Sequence, residues 1–223
     1  MRNWSYLLIS VAALAQAAPP ERVEIAYQLT RNGSAMADVV ERLEHGAGSY
    51  QLTETWKGRG LFALLGTAKR FSQGSLGPDG LRPREFYDER SGRDTARAWF
   101  DWTAKTLTMQ YKGARHTQPL PPNAQDRLSF LFALSFLPGN GESVSFTVAD
   151  GRGLSRHEYR LGARERLTIP AGQFDTVKVV RATDKENAQL WLAIDRGNLP
   201  VRLLIVEKDG TRYEQVATRI SSP

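Results

Sequence analysis

Apolar and polar positions alternate along most of the chain. Val23, Ile25, Tyr27 and Leu29 are separated by polar residues, Asn32-Gly33 follows, and apolar positions return between Met36 and Leu43. Period two around an Asn-Gly pair predicts an antiparallel hairpin with one wet face. Residues 45–48 turn the chain into a third strand carrying Tyr50 and Leu52. Residues 68–76 and 81–87 pair about the turn Gly77-Pro78-Asp79-Gly80. Residues 88–95 are charged and contain glycine, so a mobile loop is expected there. Residues 97–101 and 106–111 form the next hairpin, with Trp99, Phe100 and Trp102 near its turn, and residues 112–115 turn again. Beyond residue 143, strands at 144–148, 157–161, 167–170, 174–182, 190–194, 201–207 and 213–220 are separated by short turns, most of them containing glycine.

Two stretches break the alternation. In PPNAQDRLSFLFALSFLPG, residues 121–139, every residue from Leu128 to Leu137 is apolar except Ser129 and Ser135. Pro121-Pro122 and Pro138-Gly139 bound the run, Asn123 can cap a first turn, and Asp126 suits the positive end of a helix dipole. These signals predict one helix at about 124–137. A strand also fits, since Leu128, Phe130, Phe132, Leu134 and Phe136 share a side at period two, but Leu and Ala are weak strand formers. Ten apolar residues reach only about 15 Å as a helix, so the segment belongs inside protein rather than across a bilayer. The second stretch, GRGLFALLG at 58–66, packs Leu61, Phe62, Leu64 and Leu65 between glycines. Burial at one end of the core is expected; exposed, the segment would be a flap touching a membrane or a partner.

About ten or more strands around one helix predict a mostly β fold. The expectation is a curled antiparallel sheet, half-barrel or barrel, wrapped around that helix in a single domain at 18–223. A parallel α/β fold would need a helix between each pair of strands.

Arg2, the apolar run from Tyr6 to Leu14 and Ala15-Gln16-Ala17 have the form of a secretory signal. Residues 1–17 are therefore read as a signal peptide cleaved near Ala17. The run is too short for a retained anchor. No cysteine occurs in the 223 residues. A lipoprotein-type cysteine and disulfides are thus both absent, which suits a bacterial periplasmic chain relying on its own core. The net charge of +6 favours anionic envelope components in a general way, but the 30 basic and 24 acidic residues are interspersed and form no stripe for nucleic acid.

The phrases LTIPAGQFDTVKVVR (167–181), LWLAIDRGNLPVRLLI (190–205) and KDGTRYEQ (208–215) occur with Asp126-Arg127-Leu128-Ser129 and the Asp150-Gly151 turn. Together they resemble a bacterial periplasmic family known only as domain of unknown function thirty-one-oh-eight. The resemblance covers nearly all of residues 18–223. It implies an exported, β-rich envelope domain and carries no functional residues. Pro170-Ala171-Gly172 reads as a corner between strands, Pro200 as a strand start or edge, and Trp191 as a core residue covering Ala193.

Candidate chemistry is sparse. His45, His116 and His157 have no second ligand at metal spacing, so no metal or cofactor is expected. His157 and Glu158 are adjacent on a strand and point to opposite faces, which weakens them as a base and its carboxylate. Arg59 and Arg152 sit in Gly-Arg-Gly turns, and Asp88 with Glu89 and Asp184 with Glu186 read as solvated carboxylates. The favoured expectation is a non-enzymatic envelope protein holding an apolar or lipid ligand in a cavity lined by Trp56, Phe130, Phe132 and Phe136. A scaffolding module with a solid core and a hydrolase of an envelope polymer are the alternatives. A carrier needs open space beside the helix, and a hydrolase needs converging polar side chains.

Overall fold

The computed structural model describes residues 18–136, 143–182 and 186–222. The segment expected to be a signal peptide, residues 137–139 at the expected helix end and Asp184 lie outside them. The first half of the chain contributes β1 (Arg22–Arg31), β2 (Ser34–Gly46), β3 (Ser49–Gly58), β4 (Thr67–Gly77), β5 (Gly80–Arg90), β6 (Ala96–Asp101), β7 (Thr106–Tyr111) and β8 (Ala114–Pro119). Then come β9 (Ala124–Asp126), the helix α1 (Ser129–Ala133) and a 3-10 turn at Leu134–Phe136. The second half adds β10 (Ser143–Ala149), β11 (Leu154–Ile169), β12 (Gly172–Ala182), β13 (Glu186–Ala193), β14 (Leu199–Glu207) and β15 (Arg212–Ser221).

The fifteen strands of the described residues form one sheet in the order β8-β7-β6-β5-β4-β3-β2-β1-β15-β14-β13-β12-β11-β10-β9. Two meanders thus join where β1 pairs antiparallel with β15. The mostly β, curled and unclosed sheet with one short helix is the architecture the alternation predicted. The hairpin at Asn32-Gly33 has φ of 49° and 82°, the left-handed pair that a two-residue turn between twisted strands requires.

The helix is shorter than expected. Asn123 takes φ 53° and caps nothing, while residues 124–126 form β9, which pairs parallel with the open edge of β10. Backbone groups that a longer helix would have used are taken up by that edge. Leu128, Leu131, Phe132, Ala133 and Leu134 are buried in the sheet's interior, as the apolar run demanded.

Two further expectations are overturned. Leu61 and Leu64 are 87% and 90% exposed rather than buried. The loop closes on itself: a Cβ on Gly58 would stand 2.0 Å from the Phe62 carbonyl oxygen, and Arg59 N donates to Met36 O at 2.9 Å. With its own backbone filling its base, the 3-10 turn at Gly60–Leu65 projects outward. Residues 88–90 are not a mobile loop but the end of β5, and Asp88 has no exposure at all. Its pairing with Arg70, Arg90 and Arg152 rules out a solvated carboxylate there.

Register places inner-face residues in rows that cross the strands. One row is apolar apart from a serine: Leu43, Leu52, Ser72, Phe86, Ala98 and Met109. The adjacent row carries charge: Glu41, Glu54, Arg70 and Asp88. The next holds Val39, Trp56, Ala68 and Arg90.

Candidate functional site at the mouth of the sheet

Strand directions bring the β3–β4, β5–β6, β7–β8 and β10–β11 turns to one end of the curl. The C-terminal end of the helical segment runs toward the other. There Ser135 Oγ donates to Asn198 O at 2.7 Å and the Phe136 ring meets His45 edge-on at 5.2 Å. The end opposite this plug, termed the mouth, carries Arg127.

Local chemistry dictates that position. Asp126 Oδ1 accepts the backbone N–H groups of Leu128 and Ser129 at 2.8 and 2.7 Å, which caps α1. Its Oδ2 accepts Ser72 Oγ at 2.5 Å, and Tyr50 OH lies 2.9 Å from the same hydroxyl. Gln125 Nε2 donates to Leu81 O, and Ser129 Oγ donates to Gln125 Oε1. Burial pushes the Asp126 carboxyl up to about 6, although the Ser72 hydroxyl and the two N–H donors pull the other way. Asp126 and Leu128 are both buried, while Arg127 between them is exposed. Its guanidinium is nevertheless surrounded by enough protein for burial to lower its pKa, with the Arg70 charge next in effect. Among the described residues the Arg127 side chain makes no hydrogen bond or ion pair.

One wall of the mouth is the charged row. Arg70 Nη1 lies 2.5 Å from Glu54 Oε1, and its Nε lies 3.5 Å from Asp88 Oδ1. Asp88 also receives Arg90 Nη2 at 2.8 Å and Arg152 Nη1 at 3.0 Å. Burial alone would raise Asp88; the Arg90 hydrogen bonds and the Arg70 and Arg152 charges outweigh it and hold the carboxyl below its ordinary range. Glu41 is pushed up to about 8 by burial and then by the Glu54 charge, so it keeps its proton at neutral pH. Its Oε1 accepts Gln215 Nε2 at 3.2 Å. Arg152 comes from the β10–β11 turn, where Gly151 sits so close to β6 that a Cβ would lie 2.6 Å from Arg97 N. The two halves of the sheet are thus clasped across the mouth.

The facing wall belongs to β11 and β12. The Phe130 ring lies 5.2 Å from His157 and is stacked 6.3 Å from Tyr159, and Arg181 lies 5.9 Å over the Tyr159 ring. Ser155 Oγ is 2.9 Å from His157 Nε2. Burial, then the charges of Arg181 and Arg127, push His157 down to about 4. A base that weak removes few protons from a serine, and Nδ1 faces Tyr159 OH at 3.4 Å rather than a carboxylate.

Of the four aromatic residues expected at a cavity, the structure brings Phe130 to the mouth and sets Trp56 in the row next to the charged one. Phe132 is fully buried inside the plug, and Phe136 lies at the far end beside His45. Trp191 is buried, donates to the Glu165 carboxylate and is covered by Arg202 and Lys178 at 4.4 and 5.3 Å. Sequence reasoning missed Arg127 and the charged row. The signal available was Glu41, Glu54 and Asp88 standing at positions where period two demanded apolar side chains.

A profile of the family described as "Protein of unknown function (DUF3108)" matches residues 22–217. No curated protein matches. Two solved structures are similar at low identity. A candidate lipoprotein from Parabacteroides distasonis is 10% identical, with 92% of this chain and 100% of that chain covered and a TM-score of 0.38. A candidate exported protein with a YmcC-like fold from Bacteroides fragilis is 11% identical, with 92% and 98% covered and a TM-score of 0.40.

Proposed function

This chain belongs to the DUF3108 family of proteins of unknown function, and from that premise we propose that it is an exported, non-enzymatic protein of the bacterial envelope that binds an amphiphile with an anionic head group. Arg127 carries this reading. An exposed arginine whose side chain has no hydrogen bond or ion pair among the described residues, held between two buried residues and flanked by protein, favours a carboxylate or phosphate as its counter-ion. Phe130, alone among the residues of α1 in not being buried, offers an apolar face beside it, backed by the buried ring of Tyr159. Trp56 extends that surface along the opposite wall. Phe132 and Phe136 support the site by fixing the helix rather than by touching ligand.

The test is differential stabilisation by single-chain amphiphiles. Ligand at a hundred times its Kd adds about 2.7 kcal/mol, or roughly 5–10 °C in Tm for a chain of this size. A lysophospholipid with a glycerol phosphate head is expected to raise Tm, its choline counterpart to do so less, and Arg127→Gln to abolish the difference. Mass spectrometry of protein purified from its native envelope should find a bound anionic lipid. No shift with any amphiphile and no bound lipid would instead support the scaffolding module, which the solid packing around Phe132 favours.

A further inference from the structure

We infer that the β3–β4 loop is a docking prong for a bilayer that contains anionic lipid. Leu61 and Leu64 are the two most exposed large apolar side chains among the described residues. Both sit on a 3-10 turn whose base is fixed: Phe62 N donates to Arg59 O, Gly66 N to Ala63 O and Thr67 N to Ser91 Oγ, while Arg59 is paired with Asp38 at 2.7 Å. The leucines are therefore presented already ordered, so little conformational entropy opposes their insertion. Water contact for both is unfavourable, and nothing in the fold removes it.

Charge selects the partner. Lys57 and Lys69 flank the prong on β3 and β4, and Arg93, Lys112 and Arg115 stand on or beside the neighbouring turns of the same end. All five are exposed and make no ion pair among the described residues, against the unpaired carboxylates of Glu89 and Asp94. Apolar tips framed by surplus cations suit headgroup phosphates of net negative charge with acyl chains beneath. No helix among the described residues is long and apolar enough to cross a membrane. Docking stands apart from the ligand reading, because a vesicle assay registers it whether or not the mouth is filled.

The experiment is co-sedimentation of the exported chain with vesicles of phosphatidylcholine alone and with phosphatidylglycerol added at one part in four. The mixed vesicles should bind it several-fold better, and 0.5 M salt should remove most of that advantage. Leu61→Glu with Leu64→Glu should weaken binding about tenfold or more while the far-UV spectrum and Tm stay as in the parent, since both side chains lie outside the core. Equal binding of the double variant, equal binding to both vesicle types, or no binding of the parent would each overturn the inference. So would a parent dimer that the double variant dissociates without any vesicle binding, which would make a second copy the occupant of the prong.

Discussion

Ser72 Oγ donates a 2.5 Å hydrogen bond to Asp126 Oδ2, joining β4 to the cap of α1 across 54 residues of sequence. Both residues are buried, and the bond holds the helix against the sheet at the level where the mouth begins. Replacing Ser72 by Ala leaves a buried carboxylate oxygen without that donor. The expected loss is about 1–3 kcal/mol at pH 7 and less at pH 4, where the carboxyl is protonated, measured by urea unfolding at the two values.

Asp126 itself sets a pH dependence. Its carboxyl titrates at about 6 in the fold against an ordinary 3.8, so the folded state holds the proton more tightly than the unfolded one. Stability from this group is therefore greatest below about pH 4, falls as pH rises through the interval from 4 to 6, and is lost above it. The full change is about 3 kcal/mol. Asp126→Asn should flatten that part of the curve, which urea melts at half-unit steps would reveal.

Glu41 adds a second slope in the same direction at higher pH. Its folded value of about 8 against an ordinary 4.5 means that ionisation opposes folding as pH rises through that window. Glu41→Gln keeps a neutral side chain beside Gln215. The variant should match the parent near pH 5 and exceed it in thermal stability by pH 9, the gap widening steadily between.

Phe132 and Phe130 separate packing from ligand contact. Phe132 has no exposure, and its replacement by Ala should cost about 3–5 kcal/mol through lost burial and a cavity. Phe130 is only half-buried at the mouth, so Phe130→Ala should cost clearly less while removing most of the Tm shift produced by the anionic amphiphile. Parallel melts with and without amphiphile distinguish the two.

Gly151 packs the β10–β11 turn against β6 at the rim of the mouth. Its φ is +79°, and a Cβ at this position would stand 2.6 Å from Arg97 N, which leaves no room for a side chain. Gly151→Ala should destabilise by about 1–3 kcal/mol and loosen the Arg152–Asp88 pair, raising amide exchange in β5 and β6.

Much of the sheet was legible because its signals are local. Period two in β1 to β3, and turns such as Asn32-Gly33 and Lys112-Gly113, need only neighbours in sequence. The apolar run around Phe132 likewise announced burial. Its helical extent was not legible, because β9 forms only when the edge of β10, more than twenty residues later in the chain, arrives to pair with it. The outward turn of Leu61 and Leu64 was hidden for a related reason. Apolar composition argues for burial, and only the closed backbone between Gly58 and Gly66 decides otherwise.

Strand and turn content, the lack of cysteine and one sheltered apolar helix were determined by the sequence alone, since each depends on the chemistry of residues within a few positions of one another. The joining of the two meanders at β1 and β15, the charged row from Glu41 to Asp88 and the exposed Arg127 beside the helix-capping Asp126 were decided only by the tertiary structure. Register across strands sets which carboxylate meets which guanidinium, and that register is a property of the assembled sheet.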